Sequence, residues 1–514
     1  MFYSRKWILP LLLLAMPLHA QESEWDKITY EVQTDVVASQ GKHAPFWLVN
    51  NRHGLSSLAN NSASLSAGIR RDFDAKRGFT WAYGAEMAGA WNYSSPFYIQ
   101  QLYADIKYNC WELSIGSKER WSEGKHRTLS GGGLTFAPNA RPIPQVRMGI
   151  NEYTTLPWWF NNWVQVKGHM SYGWQTDNAF IRDWMREAIA KSCYAQNVLF
   201  HEKTAFVRIA NPNGKGLGVE GGLEMYAQFG GQVYKKDMDG NYYLHRGLPA
   251  TYKEYIKAFI PMAGGEDSPT SEQTNINGNV LGSWHLIVNY KSENWQIRAY
   301  YEHFYEDHSQ MLGVSWVPDR NGNKRFLSYH PWQDGMWGME LNLHKGRWIK
   351  GVVAEFITSR DQSGPILHNT NNVFKEQISG WDSYYTHYLY QSWQHWGMGM
   401  ANPQFLAPSY NDDHSMSIPN TRLRSYHVGI EGNPHTAWSY RILASHTRHW
   451  GSITDPLPNP MRATCLMVES TYNPTQNAKH GWEVKTTLAY DHSKLIGNNL
   501  GGMLTLRKYG ILKK

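Results

Sequence analysis

Residues 216–231 read GLGVEGGLEMYAQFGG. Leu217, Val219, Leu223, Met225, Ala227 and Phe229 share one face, with Gly221 among them. Gly218, Glu220, Gly222, Glu224, Tyr226, Gln228 and Gly230 share the other. A period of two marks a strand, because successive side chains of extended chain point to opposite sides. The alternation is sustained well past the ~5–6 residues of an ordinary soluble strand. An oily face opposed to a polar one is compatible with a sandwich. At this length it fits better a strand of a transmembrane barrel, with lipid on one side and a wet lumen on the other.

The same pattern recurs outward from this stretch. In residues 79–93, Phe79, Trp81, Tyr83, Met87, Trp91 and Tyr93 lie on one face, with aromatic residues at both ends. Aromatic residues at both ends of an oily face form the girdles of a barrel. Similar runs follow through residue 509, roughly sixteen to eighteen in all, and a bacterial single-chain barrel has an even number. Their connections alternate between short turns and long loops, the long ones at about 119–146, 235–278, 306–335 and 359–422. That asymmetry separates the periplasmic from the exterior end of an outer-membrane barrel. The fold expected is all-β, a large antiparallel transmembrane β-barrel of about 18 strands, occluded by its loops and by a short helical segment.

Composition is consistent with that fold. Arg5 and Lys6 precede a short apolar run ending at Leu18-His19-Ala20, the layout of a cleaved signal peptide over residues 1–20. The remainder, 21–514, shows no linker or composition break and is expected to form one barrel domain. No later stretch approaches the ~18 consecutive apolar residues of a membrane helix. Trp (24) and Tyr (31) are abundant, as barrel girdles and carbohydrate-binding surfaces both require. Cys110, Cys193 and Cys465 are odd in number and widely spaced, so they form no zinc or dithiol motif and at least one stays unpaired. The net charge of +7 is compatible with an anionic partner.

Residues 177–191 break the strand pattern. Phe180, Ile181, Trp184, Met185, Ala188 and Ile189 recur at helical spacing behind Asp177 or Asn178 as cap, so a helix is expected there, covering a barrel mouth or plugging the lumen.

Several short strings, taken in order, resemble those of a known family. They include Pro142-Ile143-Pro144-Gln145-Val146-Arg147, His201-Glu202-Lys203 followed by Phe206-Val207-Arg208, and Ala227-Gln228-Phe229-Gly230-Gly231. Others are Leu281-Gly282-Ser283, Asp334-Gly335, Gln362-Ser363-Gly364-Pro365, Tyr384-Tyr385 with His387 and Tyr390-Gln391-Ser392, and Trp450-Gly451. From about residue 40 to the C-terminus the chain resembles the Wzi-type capsule-assembly proteins, in the form typical of Bacteroidota-like outer membranes. The resemblance implies an occluded barrel of eighteen strands in the outer membrane. It further implies a lectin-like role in attaching capsular or other surface polysaccharide to the cell exterior, with no catalysis and no cofactor. A monomer in contact with outer-membrane lipid is expected, with polysaccharide and not nucleic acid as its partner. A porin or uptake barrel for a small or oligomeric solute is the alternative.

Candidate glycan-binding residues cluster in 381–396, WDSYYTHYLYQSWQHW. Trp381, Tyr384, Tyr385, Tyr390, Trp393 and Trp396 provide rings on which sugar C–H faces stack, and His387 provides a hydrogen-bonding edge. The same rings would serve equally as an interface girdle. Arg141 and Arg147 flank the Pro-Ile-Pro string and suit a uronic acid carboxylate, or alternatively strand carboxylates such as Glu220 or Glu224. Glu302, Glu306 and Asp307 have the residue types of a hydrolase acid pair but the spacing of lumen and rim polarity. His446, His449 and His492 lack partners for a metal site or a triad. Neither an enzyme nor a metal site is expected.

Overall fold

The computed structural model describes residues 28–512 apart from 75–77, 157–159, 190–192, 261–277, 307–310, 312–313, 319–323, 329–332, 363–367, 370–376, 379–382 and 477. The expected signal peptide, Trp381 and Asp307 therefore lie outside the described residues.

Eighteen antiparallel strands form one closed sheet. They run in chain order around the barrel, each paired with its sequence neighbour, and the first strand, Ile28–Gln40, pairs with the last, Asn499–Ile511, from Thr29↔Ile511 to Gln40↔Leu500. Closure leaves no edge, which backbone in lipid requires. The strand that set the expectation runs Gly216–Phe229. It pairs with Leu199–Ala210 on one side and Asn279–Lys291 on the other.

The alternation read from sequence sorts the faces. Leu65, Trp91, Phe97, Ile115, Leu217, Leu286, Trp337 and Leu504 are exposed on the outside of the barrel, forming its lipid-facing belt. Lumen positions such as Glu202, Glu224, Glu302, Glu355 and Glu469 are buried. Among the described residues no helix is long and apolar enough to cross a membrane, as expected where strands make the crossing.

The lumen is filled from the exterior end. The turn Phe46–Val49 is buried against strand residues Val37, Leu443, Met467 and Met503 and against Leu129, Met398 and Tyr410 of two other inward loops. A second cluster packs Leu134, Tyr384, Tyr385, Trp393, Met400 and Phe405 against lumen residues Phe200, Tyr226, Tyr300 and Phe304. Exterior segments therefore complete two hydrophobic cores with the apolar residues of the inner wall. Ion pairs tie the polar remainder together, among them Arg147–Glu202 at 3.0 Å, Arg298–Glu340 at 2.9 Å and Arg441–Glu469 at 3.1 Å. All three cysteines are free.

Candidate functional site

The amphipathic segment is helical over Asn178–Arg186, with Ile181 and Met185 buried. Asp177 occupies the N-cap position, as expected, and its carbonyl accepts from the Ile181 amide at 2.9 Å, but its side chain makes no cap bond. Its carboxylate instead accepts hydrogen bonds from Gln394 Nε2 and the Trp396 amide, both at 3.0 Å. That correction has a physical reason: the aromatic loop enters beside the helix start, and two buried donors there outcompete the helix's own amides for the carboxylate.

The same contact fixes Trp396. Its backbone lies in the left-handed region, φ 57°, which a bulky residue adopts only when its surroundings over-determine it. Its indole Nε1 donates to Thr176 Oγ1 at 3.2 Å, and the next amide, Gly397, donates to Gln394 Oε1 at 2.7 Å. Gly397 has no room for a side chain: a Cβ would sit 2.3 Å from Ser409 Oγ and 2.7 Å from the Phe180 ring.

Around Trp396 a line of π-faces forms across the mouth. The Arg141 guanidinium lies between two rings, 3.8 Å from the Trp396 centroid and 3.5 Å from that of Tyr98. Phe180 is 5.9 Å from Trp396 and stacks on Trp184 at 5.7 Å, and Trp184 meets His414 edge-on at 4.6 Å. Trp396, Phe180 and Trp184 are each part-exposed and line an open exterior cleft of about 590 Å³, together with Lys42, His43 and the first exterior loop near Ser56. Burial lowers the Arg141 pKa to about 10, which leaves the guanidinium charged at neutral pH. Burial and the neighbouring Lys42 hold the His43 pKa below its ordinary value, so at neutral pH its imidazole is neutral and both donates and accepts. His395 Nε2 accepts from the Thr176 amide at 3.1 Å, which puts its proton on Nδ1, directed at the Arg141 carbonyl 2.9 Å away. His395 thus anchors the backbone that carries the arginine.

Of the residues expected from sequence, Trp396 lines this cleft and Arg141 packs against its ring. Tyr384, Tyr385 and Trp393 are 2, 1 and 0% exposed and present no ring face to the exterior. Their polar atoms are spent inside: Tyr384 on Asp334, Tyr385 on the Leu134 carbonyl at 2.8 Å and Trp393 on the Thr135 carbonyl at 3.0 Å. Tyr390 is also buried and donates to the Gly230 carbonyl at 3.2 Å, with the largely buried His387 ring beside it. Arg147 faces the lumen, and its partners are Glu202 and His169, not Glu220 or Glu224. Register decides this, because Arg147 sits across from Ser171, which pairs in turn with Glu202. Glu220 accepts instead from Tyr153 at 2.8 Å. Tyr98, Phe180 and Trp184 escaped the sequence reading as site residues. The helical pair Phe180 and Trp184 was visible, but which side of the helix faces the cleft was not.

Among the described residues one group could chelate a cation, Glu224, His285 and Glu302, with ligand atoms within 4.8 Å of one another. Lys125 Nζ, 2.8 Å from Glu302, already supplies a positive charge there, and the Leu134 amide holds the other Glu302 oxygen at 2.7 Å. Glu306 accepts from the Tyr385 amide at 3.0 Å.

No protein-family model and no curated relative matches the chain. Solved structures do. Wzi of Escherichia coli, an outer-membrane protein involved in group 1 capsule assembly and a carbohydrate-binding β-barrel, superposes with a TM-score of 0.55 at 13% identity, over 94% of this chain and 84% of that one. Pseudomonas aeruginosa OpdH gives 0.44 at 8% identity, over 95% and 99% of the two chains. Pseudomonas aeruginosa OprD gives 0.42 at 7%, over 94% of each. The fold is that of outer-membrane barrels.

Proposed function

We propose that this chain is a Wzi-type protein of the outer membrane that holds surface polysaccharide at the cell exterior, without catalysing its turnover. The observation that carries the reading is the row Trp396–Phe180–Trp184, preorganised at an open exterior cleft with Arg141 clamped beside it. Part-exposed rings in line offer stacking faces to successive pyranose units, and neighbouring side chains serve the hydroxyls. Arg141, held against the Trp396 ring, and Lys42 in the cleft wall, paired with Asp412 at 2.5 Å, place two cations by the rings and favour an acidic sugar. The carbohydrate binding of the Escherichia coli barrel supports the reading.

Titration of purified protein with the host's own capsular polysaccharide tests it. Trp396→Ala should weaken binding by about 1–2 kcal/mol, or roughly 5- to 30-fold, as truncation of an aromatic anchor does. An unchanged affinity, together with unaltered surface retention of polysaccharide in a deletion strain, would refute the proposal.

A second reading, uptake of a small or oligomeric solute, draws on one observation. A cavity of about 660 Å³ opens at the short-turn end, lined by Glu31, Arg52, Glu86, Arg507 and Tyr509, and it shares Ser56 and Ser57 with the exterior cleft. Ionic conductance separates the two readings.

A further inference from the structure

The lipid-facing side of the barrel is not bare all the way round. On the strand Gly216–Phe229 the outward residue Leu217 is 60% exposed, as the lipid belt requires, but Met225, Ala227 and Phe229 on the same face are 1, 0 and 1% exposed. Val280 and Tyr305, outward residues of the next two strands, are equally buried. What covers them is the helix Tyr252–Phe259 from the exterior loop, packed through Tyr255 and Ala258 onto the outside of the wall, together with Met311 of the next exterior loop, whose carbonyl accepts from the outward Trp284 at 2.7 Å. The helix is well formed locally. Thr251 and Glu254 make a reciprocal capping box at its start. Outward-facing Tyr172 donates to the Tyr255 carbonyl at 2.8 Å.

The position also accounts for a charge that lipid would not accept. Lys203 occupies an outward position, paired in register with Met225 and Met170. Its ammonium donates to the Phe259 carbonyl at the C-terminal end of the helix, where the backbone dipole is negative, and lies 4.9 Å from the Phe259 ring. His201, also outward, is fully buried under the same cover, with its ring 5.9 Å from that of Phe259.

The other side of the helix stays apolar. Tyr252, Ile256, Phe259 and Ile260 are 72, 52, 39 and 53% exposed and recur at i, i+4, i+7 and i+8, a single stripe. Height along the barrel indicates what meets that stripe. A strand rising ~3.3 Å per residue and tilted about 40° crosses an apolar band of ~25 Å in about ten residues. Counted from Leu217 in the girdle near the short-turn end, the band ends near Ala227, the wall position beneath the helix. The stripe therefore continues the lipid belt at its outer rim.

We propose that the helix Tyr252–Phe259 lies in the headgroup–acyl boundary of the outer leaflet, strapped to the outside of the barrel, with Tyr252, Ile256, Phe259 and Ile260 against lipid. Lys253 and Lys257 then sit at headgroup level, as in interfacial amphipathic helices. This inference is independent of the polysaccharide reading.

Site-specific photocrosslinking tests it on the whole chain, folded into dioleoylphosphatidylcholine vesicles carrying an acyl-labelled fluorescent phosphatidylethanolamine. p-Benzoylphenylalanine is placed at Ile256, at Leu286 in the mid-wall belt and at Met238, which is 90% exposed in the exterior loop. Heat-modifiable gel migration confirms folding of each. Irradiation should give a lipid-labelled band at 256 comparable to that at 286 and about tenfold above that at 238. A band at 256 no stronger than at 238 would overturn the proposal. Tyr252, the most exposed of the four and already aromatic, carries the same test should the 256 variant fold poorly.

Discussion

At the level of single residues, burial sets the chemistry of the plug. Asp334 accepts from the amides of Asp361 and Gln362, at 3.1 and 2.6 Å, and from the Tyr384 hydroxyl at 3.1 Å. Desolvation nonetheless outweighs these bonds and raises its pKa to about 6. The folded protein therefore holds this proton more tightly than the unfolded chain does. The stabilisation is fully present below about pH 4, the unfolded value, and is lost as pH rises through about 6. A shift of about two units corresponds to roughly 3 kcal/mol. Thermal unfolding of the wild type should accordingly move to lower temperature between pH 4.5 and 7.5, and Asp334→Asn should flatten that dependence. An identical pH slope in the two proteins would show that the carboxyl is not the group responsible. Trp396 illustrates the converse. Its strained backbone was invisible in the sequence, since nothing in QSWQHW at residues 391–396 marks a left-handed position.

Among elements, the link between the helix Asn178–Arg186 and the aromatic loop matters most to the cleft. Asp177 joins them, and without its carboxylate the Gln394 amide group and the Trp396 N–H lose their buried acceptor, a cost of about 1–3 kcal/mol. Asp177→Ala should therefore weaken polysaccharide binding although residue 177 is buried, and should speed proteolysis within 383–400. Binding at the wild-type level would mean that Trp396 is held without this link. Trp393 is the loop's inner anchor, fully buried between Phe200 and Tyr226. Trp393→Ala leaves a cavity costing about 3–5 kcal/mol. Its thermal midpoint should fall while the far-ultraviolet strand signal at low temperature is kept, because the closed sheet owes none of its backbone hydrogen bonds to that ring.

For the whole molecule, the barrel is filled by its own exterior loops. Phe46–Val49, Leu129 and Leu134, and Trp393 through Phe405 meet inside the wall and form hydrophobic cores that a water-filled channel lacks. Purified protein in a planar bilayer should therefore show no steady large conductance. A stable open level in the wild type would favour the uptake reading, with the path running past Ser56 and Ser57, where the two cavities adjoin.

The sequence by itself determined the barrel. Alternation of period two is a local property that each strand carries within its own residues, and the contrast of short turns with long loops is equally local, so both could be read before any contact was known. The lumen direction of Glu220 and Glu224 followed for the same reason. Only the tertiary structure decided which rings meet at the exterior cleft. Arg141, Phe180 and Trp396 come from three loops, and nothing in one loop records which of the others it meets. Whether a ring at 384 or at 396 ends inside the plug or at its surface depends on how those loops fill the lumen together. The opening strand shows the same division. Its outward face was legible throughout, but that lipid meets Leu217 while a helix covers Phe229 was settled by a loop that leaves the wall and returns to its outer side.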